Sequence, residues 1–142
     1  MGTTADAAAD PGMASRLGLR PGQVVQEFGY DDDVDHDLRD AVEDLIGAEL
    51  VDEDSDEVVD AVLLWWRDGD GDLVDRFVDV LGALAEGGAI WLLSPKSGRP
   101  GHVEPSDIEE GAPTAGLHAT KTISVGPDWS GTRLVRPRGR RG

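Results

Sequence analysis

The sequence contains no cysteine, and that absence removes disulfide frameworks, thiolate metal centres and thiol nucleophiles together. Long apolar runs are also missing, and nothing approaches the ~20 residues of a membrane span. The first residues do not form a secretory signal. Met1-Gly2-Thr3-Thr4-Ala5-Asp6 starts like a myristoylation site but places Asp6 where Ser or Thr is required. A cytoplasmic protein without a membrane partner is expected. Positive charge is scarce: 13 Lys and Arg stand against 29 Asp and Glu, for a formal net charge of -16. Phosphate backbones are held by clustered Lys and Arg, so direct nucleic-acid binding is not expected. A surface this acidic either keeps the protein solvated or meets a basic partner protein.

What is present is enough for one domain. A chain of 142 residues can bury about 70% of its unfolded surface without cross-links. Residues 1–15 show no periodicity and read as a disordered tail, 16–137 as the domain, and 138–142 as a basic end carrying Arg138, Arg140 and Arg141. Pro21-Gly22 is a turn signal, and Val24-Val-Gln-Glu-Phe-Gly29 suits a first strand. Val34, Leu38, Val42, Leu45 and Ile46 then recur at helical spacing. Asp33 is the expected N-cap, Asp35 and Arg39 the expected one-turn ion pair, and Gly47 the stop. Glu49–Asp52 is at best a short strand, and the acidic run 52–57 belongs in water.

The central stretch is the most informative. Ala61-Val-Leu-Leu-Trp-Trp66 predicts a buried strand, and Asp68-Gly-Asp-Gly-Asp72 a turn. A helix follows from Asp72 to about Ala85, ended by Gly87-Gly88, and Ala89–Leu93 is a second buried strand. A polar loop, 94–102, leads to a short helix opened by Glu104-Pro105 and limited by Pro113 and Gly116. Thr120–Val125 and Thr132–Val135 then form an antiparallel hairpin around Gly126–Gly131. The fold class is α/β: an open, mostly parallel Rossmann-like sheet flanked by helices and closed by that hairpin.

Each chemical candidate has a structural alternative. The alternating aspartates 68, 70 and 72 suggest calcium, but position six of such a loop is Leu73 and position twelve Asp79, and a strand precedes it. A turn ending in an aspartate helix cap fits better, and no metal is expected. Trp65 and Trp66 are adjacent on a strand, so they face opposite cores. Lys96, Ser97, Arg99 and His102 cluster after a buried strand, at the carboxyl edge where open α/β sheets bind ligands. With Asp68 and Asp70 they form the candidate ligand site; alternatively, Lys96 and Arg99 merely neutralise those aspartates. Asp37, Asp40 and Asp44 are the candidate partner-binding face of the first helix. His36, His102 and His118 form no catalytic set, and Trp129-Ser-Gly131 reads as a plug at the sheet edge.

The order of elements resembles a shortened class I methyltransferase domain over residues 20 to 137. That resemblance implies a Gly-x-Gly-x-Gly turn for S-adenosylmethionine after the first strand. Here the place reads Phe28-Gly-Tyr-Asp-Asp-Asp-Val34, with one glycine, and Asp52 stands near the position of the acidic ribose ligand. The domain is more closely similar to a family of small actinobacterial proteins, domain of unknown function 3052. Four segments carry that resemblance: Leu17-Gly-Leu-Arg-Pro-Gly-Gln-Val-Val-Gln-Glu27, Leu63-Leu-Trp-Trp-Arg-Asp-Gly-Asp-Gly-Asp-Leu-Val-Asp75, Gly101-His-Val-Glu-Pro-Ser-Asp-Ile108 and Asp128-Trp-Ser-Gly-Thr-Arg-Leu-Val135. It implies a bacterial cytoplasmic protein and supplies no activity. Two functional classes follow. One is a non-enzymatic binding or regulatory protein without a cofactor; the other is an enzyme binding S-adenosylmethionine or a nucleotide across the carboxyl-edge loops.

Overall fold

A strand that is apolar on both sides must be covered on both faces, and the run Val59–Trp65 (β2) is covered that way. The structure is a computed structural model describing residues 11–136. Helix α1 (Pro11–Arg16) and β1 (Val25–Phe28) lead to α2 (His36–Ile46) and then β2. Beyond β2 follow α3 (Leu73–Leu81), β3 (Leu84–Pro95), α4 (Pro105–Thr114), β4 (His118–Val125) and β5 (Trp129–Val135). The sheet order is β1-β2-β3-β5-β4, with β1, β2 and β3 parallel and β5 antiparallel to both its neighbours. The expected α/β sheet with a closing hairpin is therefore the observed one.

Two cores flank the sheet. On one face α1 and α2 pack Ala14, Leu38 and Val42 against Val25, Leu63, Trp65, Trp91 and Leu93. On the other, α3 and α4 pack Phe77, Val80 and Ile108 against Val62, Leu64, Trp66, Ile90 and Leu92. The adjacent tryptophans thus enter opposite cores, as strand geometry requires. Trp91 is fully buried, and its Nε1 donates to the Leu17 carbonyl at 2.9 Å.

Several local expectations need correction. Within the stretch 1–15 read as a disordered tail, Pro11–Arg16 form a helix with Ala14 buried; residues 1–10 and the basic end 138–142 lie outside the described residues. Asp35, not Asp33, caps α2, accepting from the Leu38 amide at 2.9 Å. Arg39 pairs with Glu27 across to β1 rather than with Asp35, whose carboxylate is taken by the Leu38 amide as the helix cap. Gly47 does stop α2, at φ 81. Asp72 caps α3 through the Asp75 amide, but α3 ends at Leu81 and Gly82 follows as its cap. Gly87-Gly88 lie inside β3, where pairing with β2 jumps from Val59↔Leu84 to Ala61↔Ala89. A Cβ at Gly88 would come within 2.6 Å of the Asp60 carbonyl, so this glycine serves a bulge and not a helix end. The short strand at 49–52 is reduced to one isolated parallel bridge, Val51 to Gln26 of β1. Trp129 lies within β5 rather than in the turn before it.

Candidate functional site

The carboxyl ends of β1, β2 and β3 form one edge, and the chain leaves β1 there through Gly29. Gly29 has φ 78, and a side chain on it would collide with the Trp65 carbonyl, so only glycine fits the turn. Its amide donates to Glu53 Oε1 at 3.1 Å. Its carbonyl accepts from Arg67 Nη1 at 2.8 Å. Both polar groups of the turn are thus bonded to the protein's own side chains.

Arg67 stands at the exit of β2 and gathers the edge together. Its Nε donates to Asp33 Oδ2 at 3.1 Å and its Nη2 to Asp33 Oδ1, a two-pronged pair. Its backbone amide donates to Asp70 Oδ2 at 2.9 Å, and its guanidinium lies 5.3 Å from the Trp129 ring centroid. Trp129 packs edge-to-face on Trp65 at 4.8 Å, and its Nε1 donates to the Asp33 carbonyl at 3.2 Å. Asp33 is therefore held by backbone and side chain at once. The Arg67 hydrogen bonds hold the Asp33 carboxyl below its ordinary pKa. Burial pulls the Arg67 pKa down, but hydrogen bonding and charge from Asp33 outweigh it and the net shift is upward.

Behind this latch lies a second network. Glu27, 8% exposed on β1, accepts from Arg39 Nε at 2.7 Å, Arg39 Nη2 at 3.0 Å and Trp65 Nε1 at 2.8 Å. The hydrogen bond to Glu27 raises the Arg39 pKa. Arg39 also stacks over Tyr30, 4.7 Å from its centroid. A cleft of about 270 Å³ opens here between β1 and the Val51 bridge, lined by Glu27, Tyr30, Arg39 and Asp52 among others. Another, of about 290 Å³, is bounded by Asp33, Arg99, Asp128 and Trp129.

The loop residues singled out from the sequence are mostly committed to structure. Lys96 Nζ donates to the Gly126 carbonyl at 2.9 Å, and Arg99 pairs with Asp128 at 3.1 Å. Neither neutralises Asp68 or Asp70, correcting that expectation: the hairpin turn folds back over the loop and presents Asp128 first. Asp70 instead serves Arg67. Asp68 is exposed, and its amide joins the two loops by donating to the Gly101 carbonyl at 2.8 Å. Ser97 is exposed. His102 places Nδ1 3.0 Å from the Pro95 carbonyl, which can only accept, so that nitrogen carries the proton. Asp37, Asp40 and Asp44 are exposed along α2. Among the described residues no group of three or more His, Asp or Glu side chains could hold a metal ion, and no helix is long and apolar enough to cross a membrane.

Arg67, Glu27 and Glu53 were not singled out from sequence, although a glutamate inside the first strand and an arginine at a strand exit were visible signals. At this edge the Gly29 amide is taken by the exposed Glu53 side chain, and Asp31, Asp32 and Asp33 follow in the chain.

The sheet order and the carboxyl-edge cleft define a methyltransferase-like Rossmann fold, and solved structures agree. The chain is similar to the mitomycin 7-O-methyltransferase MmcR at a TM-score of 0.59 and 13% identity, over 89% of this chain and 53% of that one. It therefore spans about half of that enzyme's length. It is also similar to a SAM-dependent methyltransferase from Thiobacillus denitrificans in complex with S-adenosyl-L-homocysteine, at a TM-score of 0.54 and 10% identity, covering 91% of this chain and 94% of that one. At such identities the likeness concerns the fold alone. The chain belongs to the family described as protein of unknown function DUF3052, whose profile matches residues 14–138. Uncharacterised proteins of Mycobacterium tuberculosis and Mycobacterium bovis are each 56% identical to it over 129 residues, 91% of this chain and 81% of theirs.

Proposed function

We propose that this chain is a non-enzymatic binding or regulatory protein on a methyltransferase-like scaffold. Its former cofactor edge is closed by its own side chains. The observation that carries this reading is the double occupation of Gly29, by Glu53 at the amide and Arg67 at the carbonyl. A ligand phosphate or carboxylate would have to displace the Glu53 carboxylate already seated at that amide. The exposed aspartates 37, 40 and 44 of α2 support a basic protein as the partner, since charge complementarity steers encounter and suppresses wrong partners.

Thermal unfolding of the full chain with S-adenosylmethionine and S-adenosylhomocysteine tests this. No shift is expected for the wild type. A ligand at a hundredfold its dissociation constant would stabilise by about 2.7 kcal/mol, several degrees here, and such a shift would overturn the proposal. Binding that emerges only in Glu53→Ala would support it, since it would show that side chain to be the plug.

A further inference from the structure

On the α4 side of the sheet, the core changes character near the hairpin turn. Rows nearer the amino edge are apolar there, with Ile90, Leu92 and Leu134 buried. Toward the carboxyl edge the same face carries hydroxyls. Ser94 pairs in register with Ser130, and Thr132 with Thr122, so four hydroxyl side chains from three strands are adjacent. Ser94 and Thr132 are only 4% and 6% exposed. The Thr122 and Thr132 hydroxyls lie 3.4 Å apart.

These residues floor a cavity of about 280 Å³, roofed by Val103, just before α4, and Ile108 within it. Hydroxyls on such a face can turn toward a polar ligand as well as toward one another. The volume falls at the small end of ligand pockets, which begin near 300 Å³. Its chemistry is specific. Among the described residues no Lys or Arg lines it, and the one carboxylate there, Glu109, is exposed on α4, so anions are disfavoured. Hydroxyls both donate and accept. His102 lines the same cavity with Nδ1 committed to Pro95 and Nε2 3.7 Å from Glu104 Oε2. The Val103 and Ile108 side chains offer an apolar wall for a ring face.

We propose that this cavity is a binding site for a neutral, polyhydroxylated small molecule of sugar-ring size. It lies on the opposite face of the sheet from the Gly29 turn, so it does not depend on the closure of that edge. Uniformly 15N-labelled full chain would be titrated with D-ribose and myo-inositol, with ribose 5-phosphate as the charged comparison. Saturable amide shifts clustered at Ser94, Val103, Ile108, Ser130 and Thr132 are expected with at least one neutral polyol. Thr132→Val, which keeps the shape, should weaken that binding about fivefold, the loss of one hydrogen bond. Thr122→Trp should abolish it: Thr122 is exposed on β4, and strands accept aromatics, so the fold is retained and is checked by spectral dispersion. No saturable shift at these residues with either polyol, tighter binding of ribose 5-phosphate, or shifts unchanged in both variants would each overturn the proposal.

Discussion

Replacing Arg39 by Leu would leave the Glu27 carboxylate on β1 with Trp65 Nε1 as its remaining donor, where it now has three. Removing one partner of a buried pair costs about 3–5 kcal/mol, because the other charge is left uncompensated. Arg39 itself keeps 24% exposure, which lets water reach the vacated side, so the lower end applies: a loss of about 3 kcal/mol. In a domain of this size that lowers the melting temperature by roughly 10 °C. Glu27→Gln should cost less, about 1–2 kcal/mol, since an amide oxygen still accepts from Trp65. The cycle closed by the double variant should give a coupling of about 1.5–3 kcal/mol. Urea unfolding followed by tryptophan fluorescence measures all four corners, and Trp65 reports the site directly. A loss below about 1 kcal/mol for Arg39→Leu, with coupling near zero, would place the pair among solvent-screened surface bridges and refute the buried network.

Further outcomes follow from the same edge. The Asp33 carboxyl is held below its ordinary pKa by Arg67. Its contribution to stability is therefore complete above the unfolded carboxylate value of about 3.9 and is lost as pH falls through the lowered folded value. Asp33→Asn should flatten that acid limb of the unfolding curve, and an unchanged limb would sink the assignment. Gly29→Ala should destabilise by more than about 3 kcal/mol or prevent folding, as positive φ and collision with the Trp65 carbonyl act together; a near-native melting temperature would contradict the turn geometry. Asp44 is exposed in the last turn of α2, which carries no basic residue there. Asp44→Lys should stabilise by roughly 0.5 kcal/mol through the helix dipole and relief from Asp40, and destabilisation by that amount would refute it.

The sequence made the layers legible because period and composition report burial directly. The run Ala61–Trp66 had to be covered twice, Asp72 had to cap a helix, and the terminal hairpin was bounded by turn residues. Gly87-Gly88 misled because glycine marks helix ends and sheet bulges alike, and only the approach of the Asp60 carbonyl distinguishes them. Asp33 and Asp35 both satisfy the local capping preference, and Arg67, 34 residues beyond Asp33, takes Asp33 and leaves Asp35 as the cap of α2. The candidate site suffered for that reason. Loop composition located the edge, but Glu53, Arg67 and Trp129 meet there only through sheet order, and no local pattern encodes the distance between them.

That sheet order also has a consequence for assembly. β4 precedes β5 in the chain, yet β5 is its sole neighbour and separates it from β3. During synthesis β4 must wait, unpaired, for a strand made after it, and until then the edge of β3 stays open. The same late strand brings Trp129 onto Trp65 and Asp33. The seal over the carboxyl edge is thus a finishing step of folding, and a chain cut before Trp129 would expose an unpaired strand and an uncovered indole, the surfaces on which aggregation begins.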